Sequence, residues 1–324
     1  MKPALVLSFL LTLAMLANGC TNAPGATTPG KTLPAATAQG QKPATAQQPS
    51  TPNSASQTAK PQTSVPQSQA AQPAVNQPFV IVNRELSNLQ LDNPNIPVYD
   101  LLSFKERRAQ GMPTRLPDLK PYRQGKMAYL TFDDGPEGKN TPAILDILRD
   151  QGVKGTFYVV GTYCYIHPKV VLRMFAEGHA IGNHSYGHDY NKLYPYVGGF
   201  LEEMFSTERV LREIIGYRPL IIRAPGGKAG HFTSAFPPAL KEAGLAAHDW
   251  NVCIDDAVHG HPTAADFVNK VATQTASGRN PAIVLMHCSY GKEETVKALP
   301  QIIQLLRERG YSFGVMTPMT PQPW

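Results

Sequence analysis

Residues 21–78 contain no aromatic side chain, no aspartate and no glutamate, and their only charges are Lys31, Lys42 and Lys60. Pro, Ala, Gln, Thr and Ser dominate, so nothing in this stretch can close a core. It reads as a disordered linker, a tether that as a flexible coil would span roughly 40 Å and further if its prolines extend it. No convincing internal repeat is present. The chain also lacks a long apolar run. The run at 4–17 is too short for a comfortable membrane span. With Lys2 before it and 16-LANGC-20 after it, it has the charged, apolar and small-residue order of an export signal.

A Cys directly after Gly at the end of such a run resembles the lipobox of bacterial lipoproteins, where Cys20 would become the lipidated N-terminus. Ala17 stands where that pattern favours Leu. The expectation is an extracytoplasmic protein, held to the membrane through Cys20 or otherwise secreted. The formal charge of +6 is then less informative than it looks. Four of the 30 basic residues lie at or before Lys60, which leaves 26 against 24 acidic residues from Phe79 onward. A nucleic-acid binder concentrates basic charge on its folded domain, so that class is set aside. A basic tether could still be drawn weakly to anionic membrane or wall polymers.

From Met127 to Met316, apolar strand-like runs alternate with amphipathic helical patterns, the signature of an α/β domain with a mainly parallel sheet. Strands are predicted at 127–133, 155–161, 179–183, 219–224, 246–253, 282–287 and 311–316. Helices are predicted near 141–150, 168–177, 199–215, 237–243, 264–276 and 293–309. Several of these helices run into a glycine, such as Gly216 and Gly310, as left-handed caps favour. Residues 79–125 form an N-terminal extension whose prolines interrupt any long pattern, with a short strand at 79–82 and a short helix at 101–111. It is expected to pack on the α/β domain or to form a small accessory module. That domain is drawn at 126–318, with a tail at 319–324.

Polar motifs fall at the C-terminal ends of the predicted strands, the edge where parallel α/β folds bind ligands. The first strand ends in adjacent acids, Asp133 and Asp134, in 130-LTFDDGP-136. His184 and His188, in 183-NHSYGH-188, follow the third. If that segment is one helical turn, both imidazoles lie on one face and can reach a single ion. Such pairs are also common on surfaces, and the absence of a Glu between them argues against an HExxH protease. Arg223, in 223-RAPGG-227, is suited to hold a carboxylate, while Gly226 and Gly227 free backbone N–H groups for an oxyanion; a turn with a salt bridge is the plainer reading. The stretches 249-DWNVCIDDA-257 and 285-LMHCS-289 supply acids and His287 at two later strand ends. A His partnered by an Asp makes a proton donor near neutral pH, though a satisfied core histidine looks the same in sequence.

The ordered series TFDDGP, HSYGH, RAPGG, WNVCIDDA and LMH resembles the five motifs of the polysaccharide deacetylases, the NodB-homology domain of carbohydrate esterase family four. Residues 294–313 are similar to the peptidoglycan-deacetylase-like branch. The fold this implies is a distorted (β/α) barrel with about seven parallel strands. The resemblance makes Asp134, His184 and His188 the ligands of a divalent metal, zinc first, with cobalt or nickel as alternatives. Asp133 becomes the base, oriented by Arg223; His287, supported by Asp256, becomes the acid; the Gly226 N–H becomes the oxyanion donor. Leu285, Tyr186 and Trp250 are assigned to the substrate pocket. The implied activity is metal-dependent release of acetate from N-acetylated amino sugars, with peptidoglycan the leading glycan. Chitin-type oligosaccharide, poly-N-acetylglucosamine, O-acetylated xylan and an impaired glycan-binding relative are the alternatives. Oligomeric state is not legible.

The family pattern is broken at three places. Ala257 stands where a groove-lining Trp is usual, and Cys253 and Cys288 stand where Asp is often found. Export exposes thiols to oxidising conditions. Cys253 and Cys288, on neighbouring strand ends, are therefore a candidate disulfide if their Cβ vectors converge, leaving Cys164 alone.

Overall fold

The computed structural model describes residues 79–323, except 87–88, 90–92 and 123–124. The export signal, Cys20 and the tether lie outside the described residues. Two strands, β1 (Val80–Val82) and β2 (Val98–Asp100), lead into helix α1 (Phe104–Ala109). Ser103 and Glu106 close a capping box that starts α1. Next come β3 (Met127–Gly135), α2 (Asn140–Asp150), β4 (Thr156–Val159), α3 (Gly161–Ile166), α4 (Pro168–Ala176) and β5 (Ala180–Asn183). Then follow α5 (Tyr190–Leu193), α6 (Val197–Ile215), β6 (Arg218–Pro219), β7 (Ile221–Ile222), α7 (Phe236–Glu242) and β8 (Ala246–Ala247). The chain closes with β9 (Val252–Cys253), α8 (Ala264–Thr275), β10 (Ala282–His287), α9 (Glu293–Glu308) and β11 (Ser312–Gly314). Among the described residues no helix is long and apolar enough to cross a membrane.

The main sheet runs β8-β7-β5-β4-β3-β10-β9, with β11 also on β3, and its pairings are parallel. Its two edge strands, β8 and β9, are joined by residues 248–251 alone. Four residues reach no more than about 14 Å even when extended, so the edges must curl toward each other. This is the distorted barrel expected from sequence. The predicted strand at 246–253 is in fact interrupted, because it is the stretch that crosses this seam. The predicted strand at 219–224 is likewise divided: β7 stays in the barrel, while β6 pairs antiparallel with β2.

Strand alternation sorts the core into two layers. Along β3, Ala128, Leu130 and Phe132 pack outward with Ile144, Leu148, Ile302 and Leu306 of the helices. Met127 and Tyr129 point inward with Tyr158, Ile221, Ile283 and Val315. That parity carries Thr131 and Asp133 to the barrel interior, and the same count along β7 and β10 brings Arg223 and His287 there.

The 79–125 extension is stitched into the barrel. β1 and β2 continue through β6 as a three-stranded sheet. Asp100 accepts from Arg107 Nε at 2.6 Å and from Arg218 Nε at 3.0 Å, and Arg218 also meets Glu208 at 3.3 Å. Asp100, Arg107 and Arg218 are wholly buried. Removing one partner of such a cluster costs about 3–5 kcal/mol, because a charge is left uncompensated in the core.

Candidate active site

At the mouth of the barrel the two acids of β3 part company. Asp133 points into the interior and is almost wholly buried. Its Oδ1 accepts from Arg223 Nη1 at 2.9 Å. Arg223 is itself inaccessible and donates further to Thr131 Oγ1 (2.7 Å), the His248 carbonyl (3.2 Å) and the Asp249 carbonyl (3.3 Å). Its guanidinium lies over the rings of Tyr158 and Trp250, at 4.3 and 5.6 Å. This fork can hardly reorient, so it fixes one oxygen of Asp133 and leaves the other facing the site.

Asp134 adopts a left-handed backbone, φ +68°, just where β3 and β4 slip register. The bulge turns its side chain away from Asp133 and toward two histidines. Asp134 Oδ1 lies 3.3 Å from His184 Nε2 and 3.4 Å from His188 Nε2. The oxygen is buried yet has no hydrogen-bond partner among the described residues. One ligand atom from each residue fits within a 4.8 Å set. A tetrahedral ion with bonds of about 2.0–2.1 Å separates its ligand atoms by about 3.3–3.4 Å, so this cluster fits a metal. His184 Nδ1 lies 2.8 Å from the Arg223 carbonyl, which can only accept; the proton therefore sits on Nδ1 and the Nε2 lone pair faces Asp134. Burial alone would raise the Asp134 carboxyl, but the neighbouring imidazoles of His184, His287 and His188 outweigh it and hold the carboxyl below the usual range.

The histidines do not share a helical turn. Residues 184–189 form a loop in which Ser185 and His188 both have positive φ, and that double reversal swings His188 back beside His184. The ring centroids are 5.2 Å apart.

His287 ends β10, in register with Asp133. Its Nδ1 lies 2.7 Å from Asp256 Oδ1, and its backbone N–H donates to Asp256 Oδ2 at 2.8 Å. Thr295 Oγ1 and Lys292 Nζ complete the hold, on Asp256 Oδ2 (2.8 Å) and on its carbonyl (2.7 Å). Burial disfavours the imidazolium, but the charge and hydrogen bond of Asp256, with Asp134 and Asp133 behind them, lift His287 to about 9.

The RAPGG turn supplies Gly226, exposed at the mouth with φ +74°. Its N–H has no acceptor among the described residues. The Gly227 N–H is not available, contrary to the sequence reading, because it closes the turn on the Ala224 carbonyl at 2.8 Å.

A sequence model described as polysaccharide deacetylase matches residues 120–248. A peptidoglycan-N-acetylglucosamine deacetylase of Bacillus cereus is 33% identical over 195 residues, 59% of this chain and 69% of that protein. The chain belongs to the polysaccharide deacetylase family. A chitooligosaccharide deacetylase of Bradyrhizobium is 34% identical over 200 residues, 57% of this chain and 87% of the relative. The solved catalytic domain of a peptidoglycan N-acetylglucosamine deacetylase from Eubacterium rectale has a TM-score of 0.56 at 32% identity, covering 63% of this chain and 94% of that one.

As a hydrolase of this family, the deacetylase carries its first three motifs inside the matched stretch, whereas Asp256 and His287 lie beyond it. Tyr186 packs against the helix-side core. Leu285, buried in β10 beside Thr131 and Cys253, has the interior parity of Ile283 and His287. Trp250 is partly exposed but lies against the guanidinium of Arg223. The Cys253–Cys288 disulfide is not formed: Cys288 is a free thiol whose Sγ approaches the Asp133 carbonyl at 3.4 Å. Strand parity explains this. Cys288 packs with the helix-side core, while Cys253, between the outward Val252 and Ile254, faces the interior. Several contributors went unnoticed in sequence. Thr131 was discoverable, two residues before Asp133 on the same strand face. Thr295 and Lys292 were not, since they reach Asp256 from the following helix and its cap.

Proposed function

We propose that the deacetylase is an extracytoplasmic, metal-dependent enzyme that removes acetyl groups from N-acetylated amino sugars of a glycan, peptidoglycan first. The observation that carries this reading is the division of labour between two adjacent carboxylates, Asp133 fixed by an arginine and Asp134 facing two histidines. On it, Asp134, His184 and His188 hold a divalent ion. One carboxylate and two imidazoles suit zinc, with cobalt or nickel as alternatives. Bound there, such an ion would acidify a water and polarise an acyl carbonyl.

The chain's own groups then account for the proton traffic. Asp133 takes a proton from the attacking water, its free oxygen turned to the site while Arg223 holds the other. The Gly226 N–H donates to the acyl oxygen as charge develops on it. Water adds to the carbonyl carbon, the C–N bond breaks, and His287 Nε2 gives its proton to the leaving amine. Asp256 on Nδ1 keeps that imidazole charged at neutral pH and aimed. Acetate and a free amino sugar leave.

Peptidoglycan is favoured by the names of the relatives and by the export-type N-terminus with its tether. The 126–318 domain is taken to work together with the 79–125 extension; Asp100, Arg107 and the β1-β2-β6 sheet, which bind the extension to the barrel, support this. Acetate release is to be measured from peptidoglycan and from chitooligosaccharides, with metal-loaded and chelated protein. Release by the loaded protein alone is expected. A loaded protein that binds a glycan yet frees no acetate from any would replace the enzyme with a binding relative.

A further inference from the structure

A side chain behind the RAPGG turn bears on the Gly226 peptide. Tyr194 caps the C-terminus of helix α5, and its Oη donates to the Pro225 carbonyl at 2.5 Å. That carbonyl and the Gly226 N–H belong to one peptide unit. The bond is trans and planar, so its C=O and N–H point in opposite directions. Holding the carbonyl from one side therefore aims the N–H toward the other, where the barrel mouth lies open. A donor on the carbonyl also polarises the N–H, because chained hydrogen bonds strengthen one another.

The flanking backbone leaves that direction open. Gly226 has φ +74°, and a glycine accepts either sign of φ, so the peptide before it can flip within the turn. The His231 ring stacks on Tyr194 with centroids 4.3 Å apart and planes at 21°. His231 Nδ1 lies 3.1 Å from the Gly227 carbonyl, so the same stack holds the second carbonyl of the turn. The turn does not depend on either ring for closure, since the Gly227 N–H already bonds the Ala224 carbonyl. The Tyr194 hydroxyl thus has a directing effect separable from folding.

We propose that Tyr194, braced by His231, is a positioning residue for catalysis: its hydroxyl fixes and polarises the Pro225–Gly226 peptide so that the N–H meets the acyl oxygen. This rests on the reading of Gly226 as oxyanion donor. Tyr194→Phe keeps the ring and the stack and removes only the hydroxyl. Its kcat for acetate release should fall about tenfold, the effect of roughly one hydrogen bond in the transition state. KM and metal content should match the wild type, because neither uses the hydroxyl, and the thermal midpoint should fall by no more than the loss of one hydrogen bond implies. In metal-free protein the amide proton resonance of Gly226 should move upfield, a readout independent of turnover.

A Tyr194→Phe variant with wild-type kcat and an unmoved Gly226 amide overturns the role of Tyr194 alone. A lower kcat accompanied by a lower thermal midpoint and an unmoved amide overturns it too, in favour of local packing. A metal-loaded wild type that frees no acetate overturns the deacetylase reading and the catalytic role with it.

Discussion

Arg223 grips the centre at two points, its guanidinium on Asp133 (2.9 Å) and its backbone carbonyl on His184 (2.8 Å). One residue thereby sets the direction of both the proposed base and one proposed metal ligand. Arg223→Lys keeps a charge but loses the fork that also reaches Thr131 and the carbonyls of His248 and Asp249. Its acetate release should fall on the order of 10²-fold with metal binding retained, since the carbonyl to His184 is unchanged. Arg223→Ala should in addition lose about 3–5 kcal/mol of stability by leaving Asp133 buried and unpaired. Denaturant midpoints separate the two effects; an Arg223→Ala midpoint equal to wild type would refute the burial argument.

The two neighbouring carboxylates should fail differently. Asp133→Asn is expected to cost about 10²–10⁴ in kcat while the purified protein keeps its full metal content, because the amide cannot take a proton. Asp134→Asn should instead lose the ion, and its activity should recover in part at high added metal. Metal content by elemental analysis beside acetate release makes the comparison. Equal metal loss in both variants would sink the assigned division.

Much of this centre was legible because strand alternation is a local rule. Asp133 and His287 end apolar strands, and counting by twos from Tyr129 and Ile283 places both inside the barrel. Parity also separates Cys253 from Cys288 in the structure, although their neighbouring strand ends had made them a candidate bridge in the sequence. What was not legible depends on chain crossings and reversals. The seam at residues 248–251 looks like uninterrupted strand, because nothing local marks a segment that leaves one sheet edge for the other. The convergence of His184 and His188 is set by positive φ at Ser185 and His188, conformations that non-glycine residues rarely announce. Strand β2 pairs with β6, 118 residues away at Asp100–Arg218, a partner no periodicity reveals.

Gly226 should tolerate no side chain. A Cβ there would lie 2.6 Å from Tyr190 Oη and 3.0 Å from His231 Cε1, on a backbone at φ +74°. Gly226→Ala is expected to destabilise by about 1–3 kcal/mol and to lower kcat as the turn shifts. Adding Tyr190→Ala relieves the contact but not the backbone strain, so the double variant should regain part of the loss and not all. A double variant no better than the single would show that the clash with Tyr190 is immaterial.

The His287–Asp256 pair should leave its mark on stability as well as on rate. His287 is raised from 6.5 to about 9, because Asp256 outweighs the cost of burying the imidazolium. A histidine that binds its proton more tightly when folded contributes stability that is complete below about 6.5 and is lost as pH rises through about 9, here on the order of 3 kcal/mol. Asp256 itself is held below its usual range, burial being overcome by His287 and Thr295; its share is present above about 3.9 and is lost as pH falls through its lowered value. Metal-free wild type should therefore lose stability between pH 6 and pH 10 relative to Asp256→Asn, in which the imidazolium has no carboxylate to hold it. Urea midpoints at both pH values supply the test, and parallel slopes for the two proteins would rule out the coupling. In the loaded enzyme the same ionisation should appear as an alkaline fall in kcat that Asp256→Asn moves to lower pH, since only protonated His287 can donate to the leaving amine.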